Sequence, residues 1–208
     1  VPFLISAAAA PDLSSATLMQ AVSALVKSKQ PAALKPAFAA IARMSGNQQK
    51  RDQQRAFQSL VKSQLLQNQL ELALRECQNA DPSIGYWATA AMLGVAQETK
   101  SSPEVREQAS LSIDDMWKQP RQKLRLIKAA ADTQNHFLDD RILELTNSPE
   151  PELVAEVQRA VKALRLAEKL NPNRPRIATI GVDAALKQFT LTNGDVAHGQ
   201  RLFKEANC

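Results

Sequence analysis

The sequence predicts an all-α protein, and three observations predict it. Alanine and leucine dominate the 208 residues, while glycine occurs only six times and aromatics make up 4%. Ala and Leu are strong helix formers, whereas a β-rich fold draws on more β-branched and aromatic side chains and more glycine turns. Prolines sit beside short polar residues at Asp81-Pro82, Ser102-Pro103 and Ser148-Pro149, where a side-chain oxygen can accept from free helix N–H groups and proline's missing N–H costs nothing. Between these points apolar residues recur every three or four positions, the period of a helix with one buried face.

Taken in order, Ser14 or Ser15 caps a helix to about Lys29, with Leu18, Met19, Val22, Leu25 and Val26 as its stripe. Pro31 opens a second helix that buries Leu34, Phe38 and Ile41 and ends near Gly46. Gln48–Asn79 holds neither Gly nor Pro, and its stripe changes phase. Phe57, Leu60, Val61 and Gln64 or Leu65 share one face, Leu66, Leu70, Ala73, Leu74 and Cys77 another, which predicts a break at Gln67–Gln69. A helix from Pro82 carries Ile84, Trp87, Ala88, Ala91 and Val95. One from Pro103 carries Val105, Ala109, Ile113, Met116 and Trp117. One from Ser148–Glu152 carries Leu153, Val157, Ala160, Val161, Leu164 and Ala167. Two shorter helices, Arg121–Ala131 and Asp139–Leu145, fill the gap before the last.

One helix per twenty or so residues means a helix pair per forty-odd, and each pair has an apolar face that only a neighbour can cover. This period resembles that of HEAT and armadillo repeats. The resemblance implies an α-α superhelix of stacked antiparallel helix pairs over residues 1–171. From Asn171-Pro172 the run NPNRPR reads as a proline-broken basic linker over 172–193, with a short helix at Val182–Phe189. The opening residues, VPFLISAAAAPD, lack an initiator methionine and a basic signal-peptide head, so Pro2–Ala10 is expected to be the remnant of a preceding helix or linker of a longer protein.

The formal charge is +5, from 26 basic and 21 acidic side chains, which reads as a solvated surface of mixed sign. The tightest basic stretches, Arg121–Lys128 (RQKLRLIK) and Asn173–Arg176 (NRPR), are both short with little aromatic interleaving, so no nucleic-acid partner is expected. Two cysteines make neither a disulfide framework nor a zinc cluster. Cys77 lies on an apolar stripe and reads as a small buried hydrophobe. No apolar run is long enough to span a bilayer.

Residues 194–208 read GDVAHGQRLFKEANC. Gly194-Asp195, then Gly199, then Leu202-Phe203, then Cys208 resembles the opening helix of a class I c-type cytochrome. Ile180-Gly181 and the apolar stretch before Gly194 are similar to the lead-in of the planctomycete- and verrucomicrobial-type haem-binding domain. The resemblance implies that Asp195 caps the helix, that Gly199 lets a later helix cross closely, and that Phe203 packs at that crossing and against the haem edge. It makes Cys208 the first haem-attachment cysteine of an incomplete motif, so 194–208 reads as the truncated start of a haem domain. No cofactor is expected in this stretch of chain, and covalent haem c is expected in the full-length parent.

Elsewhere no chemistry stands out. His136, in NHFLDD, reads as a loop or helix-start residue, and His198 as an exposed residue of the cytochrome-like helix rather than an axial ligand. Asp114-Asp115 and Asp139-Asp140 read as solvated faces or caps, because adjacent residues do not face each other on a helix. Trp87 and Trp117 fall on apolar stripes and read as core. No phosphate-cradling loop or nucleophile elbow occurs. No catalytic residue and no metal site is assigned. The expected function is a non-catalytic scaffold in a larger exported or periplasmic redox protein. It would position a dehydrogenase-like module beside a c-type haem domain, its partners being modules of the same parent chain or a redox partner. The alternative is a stand-alone HEAT-type protein-interaction module that binds a protein or peptide in its groove.

Overall fold

The computed structural model describes residues 2–44 and 49–170. Every regular element among them is helical. The twelve α-helices are α1 (Pro2–Ala9), α2 (Ser15–Ser28), α3 (Leu34–Arg43), α4 (Gln49–Val61), α5 (Gln64–Gln67), α6 (Leu70–Glu76), α7 (Pro82–Gln97), α8 (Pro103–Trp117), α9 (Pro120–Thr133), α10 (Asp139–Glu144), α11 (Pro151–Ala163) and α12 (Ala167–Leu170). Short 3₁₀ turns occupy Pro31–Ala33 and Leu145–Asn147. The chain divides into two units, 1–167 and 168–208, and the description that follows concerns the first.

The helix starts are chemical. Ser14 Oγ accepts from the Thr17 N–H at 3.2 Å. Asp81 Oδ1 accepts from Ser83 and Ile84 at 2.8 and 3.4 Å, with Pro82 first in α7. Ser102 Oγ accepts from Val105 at 3.4 Å. Each satisfies donors that the helix cannot pair internally. The third predicted start differs. Ser148 Oγ accepts from Glu150 and so closes a turn, while α11 begins at Pro151 with no side-chain cap.

The stretch free of Gly and Pro breaks twice rather than once. The predicted break before Leu70 is present, with Gln69 out of helical geometry at φ −127°. A second falls at Ser63, whose hydroxyl donates to the Leu60 carbonyl at 2.6 Å and accepts from the Leu66 N–H at 3.3 Å. This one side chain ends α4 and caps α5, the competition with backbone pairing that makes serine a weak helix-interior residue.

The predicted stripes form the core. Leu18, Val22 and Leu25 of α2, Leu34, Phe38 and Ile41 of α3, Ile113 of α8, and Leu153, Val157 and Ala160 of α11 are buried. Ala167, predicted to extend the last stripe, is exposed, because a left-handed residue at Arg165 (φ 56°) ends that helix's phase. α7 sits deepest. It packs against α3, α4, α6, α8 and α9, and buries Ala88, Thr89, Ala90, Ala91, Met92 and Leu93 in succession. A helix apolar all round belongs in an interior. Gly94 permits the approach of α4: a Cβ there would stand 2.8 Å from the Val61 side chain. Further along, α9 packs on α7 and α11 on α9.

Candidate functional site

Helices α4, α7, α9 and α11, from separate parts of the chain, with Ala42 of α3, line one open groove of about 1070 Å³. Its apolar floor is a row of rings. Phe57 of α4 lies 5.3 Å from Trp87 of α7, centroid to centroid, and Trp87 lies 5.3 Å from Tyr86 in an edge-to-face arrangement. Trp87, predicted to be core, is half-buried on the groove wall, because the stripe of α7 is wider than the face that α4 covers. Trp117 is also half-buried, away from the groove, with Lys123 and Arg141 each about 6 Å from its ring.

The walls are basic. Lys50, Arg121, Arg125, Lys128 and Arg159 line the groove, against the single carboxylate of Asp132. The stretch RQKLRLIK carries three of them. Positions 121, 125 and 128 fall on one face of α9 because they are four and three residues apart. The other face holds the buried Leu126 and Ile127. Arg125 is anchored: its Nη1 donates to the Cys77 carbonyl at the end of α6. Gly85 leaves room for this, since a Cβ there would meet that nitrogen at 2.8 Å. A neutral acceptor does not cancel the guanidinium charge.

At one end Tyr86 Oη donates to Asp132 Oδ2 at 2.7 Å, and Arg159 Nη1 donates to Asp132 Oδ1 at 2.6 Å. Arg159 also donates to Glu156 through Nε, at 2.7 Å, and Nη2. Lys128 stands over the Tyr86 ring, 5.9 Å from its centroid. Burial, then the hydrogen bond to Asp132 and its charge, pushes the Tyr86 phenol well above its ordinary range. The hydrogen bond to Glu156, with Asp132 adding to it against the opposing effect of burial, holds Arg159 above the ordinary arginine range. At this end of the groove Tyr86 is thus a neutral donor and Arg159 a charged one.

The residues singled out by sequence fall elsewhere. Gly199, Phe203 and Cys208, with His198, lie outside the described residues. Cys77 is fully buried, its thiol donating to the Ala73 carbonyl at 3.4 Å, and burial pushes it up to about 12. His136 stands in the loop before α10, with Nδ1 3.0 Å from Asp139. Of the acidic pair read as a solvated face or a cap, Asp139 is not solvated: it is 5% exposed, in the first turn of α10. Asp114 pairs with Arg141 at 2.5 Å and Asp115 with Lys118 at 2.7 Å. Among the described residues no group of three or more His, Cys, Asp or Glu could hold a metal, and no helix is long and apolar enough to cross a membrane. The sequence offers a groove only as a property of stacked helix pairs and does not show which side chains line it. The one legible trace of that lining was the spacing of Arg121, Arg125 and Lys128, which sequence read as mixed surface. Comparison of the chain with family models, with curated proteins and with solved structures gave no match.

Proposed function

We propose that this chain is a non-catalytic helical scaffold whose groove holds a partner protein. The observation that carries the reading is the groove: α4, α7, α9 and α11 each contribute side chains to one continuous surface. In this reading α7 with α8 is an antiparallel pair of a HEAT/armadillo-type superhelix, and α4, α7, α9 and α11, each packed on the next, form its inner row. Such an arrangement offers a long surface held at fixed spacing. At one end of the groove Tyr86, Asp132 and Arg159 are engaged with one another, which suits a fixed binding surface. The test places a photo-crosslinking amino acid at Gln58, exposed on the groove wall, and at Gln20, exposed on α2 outside it. Position 58 is expected to capture a protein partner, either a module of the same parent chain or a redox partner, and position 20 is not. Equal capture at both positions overturns the reading.

The setting we propose for this scaffold is a larger exported redox protein, periplasmic or on the cell surface. There it would space a dehydrogenase-like module from a c-type haem domain opening at Gly194. The support is the run Gly194-Asp195, Gly199, Leu202-Phe203 and Cys208. Haem c is bound through two cysteines and an axial histidine. The gene is therefore expected to encode x-x-Cys-His directly after Cys208, and its full product to keep haem absorption after denaturation. Without that sequence or that haem, the remaining reading is a stand-alone protein-interaction module.

A further inference from the structure

We propose that the groove takes an extended, acidic stretch of polypeptide, with an apolar side chain seated on the Trp87–Tyr86 patch and carboxylates facing α9. The inference rests on the reading of the groove as a protein-binding surface and names the chemistry of what it binds.

Charge gives the first reason. Five cations and one carboxylate line the groove, and that carboxylate, Asp132, already accepts from Arg159 and Tyr86. No ion pair engages Lys50, Arg121, Arg125 or Lys128 among the described residues. Cations lining a concave surface with low-dielectric walls focus their field onto an incoming anion.

Spacing gives the second. At about 1.5 Å of rise per residue, Arg121, Arg125 and Lys128 stand about 6 and 4.5 Å apart along α9. Side chains on one edge of an extended peptide recur every 6.5–7 Å or so, within reach of flexible Arg and Lys heads. Carboxylates at alternate residues can therefore meet successive cations.

The rings decide between classes of polyanion. A single-stranded nucleic acid in a basic groove gains much of its affinity by stacking bases on free aromatic faces. Here the rings pack on one another, and Lys128 covers a face of Tyr86. Phe57 is itself buried, so the half-buried Trp87 and Tyr86 present a compact apolar patch of the kind that receives one aliphatic or aromatic anchor. The carboxy-terminal part of this same chain is a poor occupant. Residues 171–208 carry Arg174, Arg176, Lys187, Arg201 and Lys204 against Asp183, Asp195 and Glu205, the same sign as the groove.

The test uses the whole chain and a fluorescein-labelled oligoglutamate with one central leucine, read by fluorescence anisotropy at low salt. Saturable binding is expected. The reversal Arg121→Glu with Lys128→Glu is expected to raise Kd at least about tenfold. The equal reversal Lys27→Glu with Lys62→Glu, outside the groove, is expected to change it less than about twofold. Should the first pair unfold the protein by circular dichroism, Arg121→Gln with Lys128→Gln carries the same comparison. An oligolysine counterpart is expected not to bind, and replacing the probe's leucine by serine is expected to weaken binding several-fold. The inference is overturned if the probe does not bind, if both reversals act alike, if the serine probe binds as well, or if oligouridylate of equal charge binds more tightly. A groove that crosslinks a partner at position 58 yet ignores oligoglutamate leaves the scaffold reading standing and removes this one.

Discussion

α7 and α9 pack side by side and face the same groove, yet they are built differently. α7 buries Ile84, Ala88, Thr89, Ala90, Ala91, Met92, Leu93 and Val95, and offers the groove chiefly two rings, Tyr86 and Trp87. α9 buries Leu126, Ile127, Ala129, Ala130 and Ala131 on one side and presents Arg121, Arg125 and Lys128 on the other. The first derives its place from removing apolar surface from water, worth roughly 25 cal/mol per Å². The second adds charges whose pairing contributes little to folding at an exposed site. Stability and recognition are thus divided between neighbouring helices, and substitutions should separate them.

The largest expected effect tests the seat of α7 on α6. Burial pushes the Cys77 thiol from 9.0 up to about 12, and only the thiolate reacts. In a Cys208→Ser background at pH 8, the native thiol should therefore react with a disulfide reagent about a thousandfold more slowly than in unfolded protein. The sign for stability follows. A folded-state value above the unfolded one stabilises the fold below about pH 9, and that contribution is lost as pH rises from about 9 towards 12. Equal rates in native and unfolded protein would remove α6 from its place. Next, Leu93→Ala should lower the unfolding free energy by about 2–5 kcal/mol in urea titration, since Leu93 is fully buried. A loss under about 1 kcal/mol would mean that α7 is not the interior helix.

Smaller effects sharpen the contrast. Asp81→Ala should cost about 1 kcal/mol by removing the cap of α7, read as a lower urea midpoint with unchanged slope. Tyr86 is the sole tyrosine, so its alkaline absorbance titration is unambiguous. It should ionise above the ordinary tyrosine range, and Asp132→Asn should bring it down by removing the charge that its phenolate would face. An unchanged titration would detach α7 from α9 at this point. Last, Arg121→Glu with Lys128→Glu should change the unfolding free energy by less than about 0.5 kcal/mol while abolishing most binding. A large loss of stability would show that the stripe on α9 holds the fold together.

Much of the fold was legible, because helix starts and stripes are local. Asp81, Ser102 and Ser14 cap helices through atoms two or three residues away, and the three- and four-residue recurrence of Val22, Ile113 or Val157 needs only the helical period. The second break, at Ser63, was not legible. A serine amid helix formers stays in the helix or leaves it according to what packs around it. The burial of Asp139 was hidden for a similar reason, since an acidic pair at a helix start resembles any exposed cap until the neighbouring helices are placed.

By itself the sequence determined that the chain is helical, where most helices begin, and which face of each is apolar. Those properties follow from interactions spanning a turn or less. Tertiary structure alone decided that Phe57, Trp87, Arg121, Asp132 and Arg159 share one groove. Tyr86 meets Asp132 across 46 residues, and Asp132 meets Arg159 across 27. Contacts at that separation depend on the order in which helices pack, to which no local pattern is sensitive.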